Sequence, residues 1–362
     1  MADKSADVVG TAPEPMEGHG AYNRNSRVQA AGLSTALPLF ERAARGVPLT
    51  DGMEPIVIAD YGSSEGQNSL APIRAAIAVL RARTGAGRAI SVVHTDLPEN
   101  DFAALFETLE GPDSYLRGDP AAFAFAVGRS FYQQILPVTS VTLGWSSWAV
   151  QWLSRVPSPI PDHVQVSYSR DLRVRALYAR QAADDWQLFL VHRGRELRSG
   201  GRLVVVTMAL DEEGRFGYQP LLTAMYAALM DMVEDGFVRT EEAARMTIPT
   251  VARSRDDLVA PFADGGRFAG LAIEEVDLFQ VEDRFWVDYA RSGDASAFGA
   301  GWAAFARASV APTLVASLDG GHDDPRAAAF AEQMERGMAR RLEAAPEPLL
   351  IPLAKMLLVK ES

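Results

Sequence analysis

The chain of 362 residues has no cysteine, which excludes disulfides and thiolate metal sites and makes the cytoplasm the expected compartment. It is nearly without lysine: Lys4, Lys355 and Lys360 are the only ones among its 35 basic residues. Arginine in their place, together with abundant alanine, points to a GC-rich bacterial genome, a bias of coding rather than of function. Positive charge is scarce overall. A formal charge of −12 leaves no basic surface for neutralising phosphates, which argues against nucleic acid as a partner. No apolar run is long enough to span a bilayer, so a membrane-embedded protein is not expected. Residues 1–15 set Asp3, Asp7 and Glu14 against the single Lys4 and have no apolar segment; they read as a disordered tail, not a signal peptide. The five histidines, His19, His94, His163, His192 and His322, include no close-spaced pair, so no metal site is expected.

What is present is enough apolar material, 48% of residues, for one large domain or a core with a subdomain. The chain is organised around residues 56–68. Ile56-Val57-Ile58-Ala59 runs into Asp60 and then a Gly/Ser-rich turn, the pattern of a buried parallel strand feeding a ligand loop. A helix follows, with Leu70, Ile73, Ile77 and Leu80 at helical spacing, Asn68 or Ser69 as its cap, and Gly85 and Gly87 at its end. Strand, turn and helix start form the ligand-binding unit of an open α/β sheet. The turn fits neither a P-loop nor the dinucleotide fingerprint, since it lacks Gly-Lys-Ser/Thr and a third glycine. A second strand, from Ala89 to Val93, leads to Asp96, where such folds place the carboxylate that binds ribose hydroxyls. The next helix has better caps in Asn100 or Asp101, with Phe102, Leu105, Phe106 and Leu109 as its buried face.

Further along, Phe131 and Tyr132 read as core, and Thr139–Leu143 as a strand opening into a segment with Trp145, Trp148 and Trp152. Trp148 and Trp152, four apart, would share a helix face and could sandwich a flat ligand or simply pack. A helix with Trp186, Phe189, Leu190 and Leu197 would end at Gly200-Gly201, ahead of a strand over Leu203–Met208. Beyond Asp211 the alternation breaks. Helices at Leu221–Val233, Glu241–Arg245, Ala295–Ala311 and Pro325–Leu342 surround strands at Phe268–Val281 and Leu349–Val359. Helical insertion between late strands suggests a lid over the ligand edge of the sheet.

A hydrolase is the first chemistry to test, because Gly144-Trp145-Ser146-Ser147-Trp148 follows a strand and His322 lies late in the chain. A nucleophile elbow needs glycine on both flanks of the serine, and Trp148 occupies the second flank.

Several motifs occur in one order: Met16-x-Gly18 with Tyr22-x-x-Asn25-Ser26-x-x-Gln29, Ala59-Asp60-x-Gly62-x-x-x-Gly66-x-Asn68, and Asp96-Leu97-Pro98-x-Asn100-Asp101-Phe102. Ser130-Phe131-Tyr132, Ser146-Ser147 with Trp152-Leu153-Ser154-x-Val156-Pro157, and Ile248-Pro249 follow. This series resembles the SABATH methyltransferases, the salicylate, benzoate, jasmonate and indole-acetate carboxyl methyltransferases and their caffeine-pathway N-methyltransferase relatives. The resemblance implies a class I methyltransferase: a Rossmann-like, mostly parallel sheet with an α-helical cap, usually a homodimer, using S-adenosylmethionine (SAM) and releasing S-adenosylhomocysteine. The implied SAM-binding core is 16–210, 266–284 and 325–362, and the implied cap is 211–265 and 285–324.

Carried over position by position, the resemblance puts Tyr22, Ser26, Asp60 and Asn68 around the methionine part of SAM, beside the Gly62 turn. Asp96 and Leu97 would hold ribose and adenine, with Ser130 and Phe131 at the adenine ring. Gln29 and Trp152 match the pair that hydrogen-bonds the substrate carboxylate, two neutral donors suited to an anion. Trp148 takes the place of a pocket tyrosine, while Trp145, Gln151 and Leu222 fall at pocket positions where the family pattern differs. Ala244 and Thr247 stand where some relatives have magnesium ligands, so no such site is expected. The implied reaction is methyl esterification of a small, aromatic carboxylic acid, which is ionised at neutral pH and needs no general base. Its rivals are an N-methyltransferase acting on a heterocycle, which Gln151 would suit, and a SAM- or metabolite-binding protein without catalysis.

Overall fold

The computed structural model describes residues 14, 16–18 and 27–361, with side chains from residue 32 onward in the first helix. Tyr22 and Ser26 lie outside the described residues, as do residues 1–13 and 15 of the expected tail. The elements in chain order are α1 (Arg27–Gly46), β1 (Ile56–Tyr61), α2 (Gln67–Thr84), β2 (Ile90–Asp96), α3 (Phe102–Glu110), β3 (Ala122–Gly128) and β4 (Val141–Ser147). After these come α4 (Leu172–Glu196), β5 (Leu197–Met208), α5 (Gln219–Glu234), α6 (Thr240–Ala243), α7 (Arg255–Val259), β6 (Arg267–Phe268) and β7 (Leu271–Gln280). The chain closes with α8 (Arg284–Ser292), α9 (Ala295–Val315), α10 (Ala327–Ala344) and β8 (Pro352–Lys360).

The near-continuous apolar runs pair as buried strands must. They form an eight-stranded sheet of order β3-β2-β1-β4-β5-β8-β7-β6, in which β1 to β5 are parallel and the last three strands antiparallel. The strand order reverses between β1 and β4, so the crevice at their carboxyl ends is where such a sheet takes a ligand. One face of the sheet buries Ile56, Ile58, Leu143 and Val204 against Phe40 of α1, Ile73 of α2 and Leu105 of α3. The other packs Tyr61, Val141, Leu203 and Val205 against Trp186, Phe189 and Leu190 of α4. No helix joins β3 to β4, and Phe123 and Phe125 on that edge strand are left 48% and 50% exposed.

The turn after β1 departs from the expected capping. α2 begins one turn early, and its cap is Gly66 at φ +86, which offers no side chain; neither Asn68 nor Ser69 caps it. Gly62 (φ +88) is equally constrained, since a Cβ there would lie 2.4 Å from that of Ala149. Asp101 does cap α3, accepting from Ala104 N at 2.9 Å, but Phe106 is exposed rather than buried. β4 continues through Trp145 to Ser147, and the segment carrying Trp148 and Trp152 is turn and bridge rather than helix, so those side chains share no helix face. α4 passes directly into β5 at Leu197. Gly200-Gly201 belongs to an irregularity in β5, where the register with β4 jumps from Val141↔Leu197 to Leu143↔Arg202.

A buried ion pair closes the junction of α4 and β5. Arg193 Nη2 donates to Glu196 Oε1 at 2.8 Å, both side chains fully buried, and Tyr61 Oη donates to Glu196 Oε2 at 2.8 Å. Replacing Arg193 by Met would strand the Glu196 charge. Denaturant unfolding of that variant should show a loss of about 3–5 kcal/mol, the cost of an uncompensated buried charge.

Candidate active site

The carboxyl ends of β1 to β4 line a cavity of about 330 Å³ that brings together Gly62, Ser64, Asp96, Leu97, Ser130 and Phe131, with Trp148 and Trp152 on its far wall. A small cavity beside it is lined by Asp60, Asn68 and Ser69, and Gly62, Ser64, Ser147 and Trp148 line both. All the described positions expected to hold a cofactor therefore converge here. Ser64 and Ser147 were not singled out from the sequence; both hydroxyls are buried without a hydrogen-bond partner among the described residues. Orphaned polar atoms at a polar cavity are the signature of a missing partner molecule, and they fit a cofactor as rich in polar groups as SAM.

Two carboxylates are held in fixed orientation. Asp96 Oδ2 accepts from Ser64 N at 2.7 Å and Oδ1 from Leu97 N at 2.8 Å. Burial pushes its pKa up to about 6; the two backbone donors oppose this, and the Asp60 charge adds to it. Asp60 Oδ2 lies 2.8 Å from His94 Nδ1, and His94 Nε2 lies 2.8 Å from the Tyr115 hydroxyl. With Asp60 ionised, Nδ1–H must donate to it and Nε2 accepts from Tyr115, so a neutral imidazole satisfies the chain.

The loops that complete the cavity are pinned by buried guanidiniums. Arg193 donates to the carbonyls of Phe131 and Gln133 at 2.7 and 2.9 Å. Arg253 donates to those of Val150 and Ala182 at 2.6 and 2.7 Å, and Tyr132 Oη donates to the Trp152 carbonyl at 2.5 Å.

Behind Trp148 and Trp152 lies a second, apolar cavity of about 80 Å³ that also shares Met16 with the first. Its walls include Leu222 and Met225 of α5, Phe305 and Val310 of α9, and Met208, Phe216, Tyr218 and Ile248. Most of these come from positions far apart in the chain and carried no local signal. Trp148 sits at φ +56 with its indole nitrogen buried and unpartnered among the described residues. A Cβ on Gly32 would come within 3.4 Å of that nitrogen, so it faces α1 near the turn that carries Gln29. The backbone of Gln29 is helical, while its side chain lies outside the described ones.

Two expected pocket residues do other work. Trp145 is core: it is buried against Phe40 at a ring distance of 4.7 Å and lines the small Asp60 cavity, not the apolar one. Gln151 borders the apolar cavity, and its amide makes two internal bonds, with Nε2 donating to Trp148 O at 2.5 Å and Oε1 accepting from Thr207 Oγ1 at 3.1 Å. The hydrolase arrangement is absent. Ser146 Oγ is buried and donates to Tyr61 O at 2.9 Å, and His322 instead lies 3.3 Å from Glu14. Among the described residues no cluster of three or more potential metal ligands forms, and no helix is long and apolar enough to cross a membrane.

A family model described as SAM dependent carboxyl methyltransferase matches residues 14–355. The methyltransferase FUS9 of Gibberella moniliformis is 33% identical over 262 residues, covering 71% of this chain and 68% of that protein. Salicylate carboxymethyltransferase of Clarkia breweri is 28% identical over 288 residues, covering 76% and 78%. Among solved structures, loganic acid methyltransferase with SAH matches 96% of this chain and 99% of its own at a TM-score of 0.75 and 22% identity, a likeness of fold. The two sequence relatives are from a fungus and a plant, so they lend no support to a bacterial origin.

Asp96→Ala should weaken SAM binding by about 10- to 100-fold, the loss expected for a charge-assisted hydrogen bond, as read by calorimetry. If Asp96 accepts from the ribose hydroxyls as an ionised carboxylate, with burial pushing its pKa up to about 6, wild-type affinity should hold steady above about pH 7. It should fall by up to about tenfold per unit below pH 6, and the Asp96→Ala variant should lose that dependence.

Proposed function

This chain belongs to the SAM-dependent carboxyl methyltransferases, and from that premise we propose that its acceptor is the carboxylate of a small aromatic acid. The observation that carries the reading is the shared tryptophan wall. Trp148 and Trp152 line both a cavity that carries Ser64, Asp96 and Ser130, suited to the cofactor, and an apolar one, so the reacting groups of two ligands would meet at their indoles. The relatives' names include salicylate and loganic acid, so family membership alone leaves the acid open. What supports a small aromatic one is the apolar lining and the narrowness of the cavity, well below the roughly 300 Å³ at which drug-sized pockets begin.

When bound, SAM supplies an electrophilic methyl: a carboxylate oxygen bonds to that carbon as its bond to sulfur breaks, leaving the ester and S-adenosylhomocysteine. An acid with a pKa near about 4 is already ionised, so no side chain needs to take a proton. The protein's part is placement and exclusion of water. Trp152 and Gln29 orient the carboxylate through neutral N–H donors, Trp148 and Leu222 flank the acid body, and Asp96, Leu97, Ser130 and Phe131 hold the nucleoside end. Asp60, Gly62 and Asn68, with Tyr22 and Ser26, hold the methionine end. Segments 211–265 and 285–324 act as a helical cap on the core formed by 16–210, 266–284 and 325–362; α5 and α9 supply one wall of the acid pocket. The working unit is a homodimer. The N-methyltransferase reading drew on Gln151 as a polar donor–acceptor group, and that side chain makes one donated and one accepted bond within the protein.

The protein should be incubated with methyl-labelled SAM and a panel of aromatic, indolic and aliphatic acids and N–H heterocycles, and the product treated with mild alkali. Release of label as methanol is the expected result; alkali-stable label would overturn carboxyl methylation. Trp152→Ala should lower kcat/KM by about 100-fold, as for a misplaced acceptor, with SAM affinity nearly unchanged in a direct binding measurement.

A further inference from the structure

Phe216 is a wall between two cavities. One face of its setting is the apolar acid pocket, and the other is an outer groove of about 690 Å³ whose rim includes Tyr168, Arg175, Arg215, Gln219 and Asp257. The ring is buried and stands between Tyr168, edge-on at 6.2 Å, and Tyr218, tilted at 6.0 Å. Nothing in the reaction requires it.

The backbone around the ring is anchored independently of it. Arg215 N and Nε donate to the Asp211 carboxylate at 2.8 and 2.7 Å. Tyr168 Oη donates to Gly217 O at 2.5 Å, and Tyr218 N donates to Leu350 O at 3.0 Å. A loop held on both sides of residue 216 keeps its course when the ring is cut back. Phe216 is the residue the two linings share, so truncation would open a passage from one cavity to the other.

We propose that Phe216 is the specificity-determining partition that sets how long an acid the pocket accepts. The groove behind it is a distal subsite for aryl acids extended by a further ring or chain. The proposal rests on the carboxyl methyltransferase reading above. With the partition in place the pocket holds a compact acid body; with it removed, the extension passes into a groove whose rim carries both arginine and carboxylate, suited to a polar far end.

The test compares kcat/KM for benzoate, cinnamate and 4-phenylbenzoate in the wild type, in Phe216→Ala, and in Phe216→Ala combined with Ala179→Trp, which narrows the groove from its outer side. The ratio of 4-phenylbenzoate to benzoate should rise at least about tenfold in Phe216→Ala, the scale on which pocket length discriminates. The added tryptophan should reverse the gain. Retained SAM affinity shows that the variant is folded; if it is not, Phe216→Leu should move the ratio in the same direction by about threefold. A ratio within about twofold of wild type in a folded variant overturns the partition. A wild type that forms no alkali-labile ester from any acid overturns the proposed function instead, and the two failures are thereby distinct.

Discussion

The site depends on two arginines removed from water. Arg193 and Arg253 are both buried, and each donates to carbonyls of irregular backbone: Phe131 and Gln133 for the first, Val150 for the second. Those loops have no strand or helix to satisfy them. A planar guanidinium can bond two carbonyls at fixed directions, which the single point charge of lysine cannot reproduce. The desolvation this entails is offset at Arg193 by Glu196 and by the Tyr61 ring, whose centroid lies 4.2 Å from the guanidinium carbon. Glu196 in turn accepts from the amides of Ile135 and Leu136. One buried pair thus ties the end of α4 to β1 and to the loop that carries Ser130 and Phe131, and Arg253 does the same for the loop that carries Trp148 and Trp152.

That dependence explains which parts of the fold were legible in the sequence. β1, β2 and β5 announce themselves by apolar runs, because a strand buried on both faces has no other composition open to it. Boundaries failed where a residue serves the next element as well. Leu197 continues the apolar face of α4 and is already the first residue of β5; the helix-stopping glycines after it mark a strand irregularity. Trp148 and Trp152 have helical spacing, yet the positive φ of Trp148 and the pairing of Trp152 with Thr250 hold them in a turn. Local periodicity was overridden by tertiary contacts that no local window contains.

The two halves of the candidate site were unequally visible for a related reason. The proposed cofactor side lies at the ends of consecutive parallel strands, so Asp60, Gly62, Asp96 and Ser130 each sit at or just past the end of a strand and line two adjoining cavities. The proposed acid pocket is walled by residues from β5, α5 and α9 and by connections such as those holding Phe216 and Ile248. Their apolar character reads as ordinary core. Gln151 lines the same cavity, and its amide also ties Trp148 to Thr207.

The charged groups of the site are consistent in kind. Asp60 is bonded to a buried imidazole whose other nitrogen meets Tyr115, and burial raises the Tyr115 pKa well above the ordinary phenol value. Tyr115 therefore keeps its proton and can donate to His94 Nε2, while Asp60 Oδ2 meets the ring at Nδ1. Such a chain orients the Asp60 carboxylate. Asp96 is likewise aimed by backbone amides. The described part of the site thus holds oriented acceptors in Asp60 and Asp96 and a buried indole N–H in Trp148. That arrangement suits a displacement in which both partners arrive already activated and only their alignment is left to the protein.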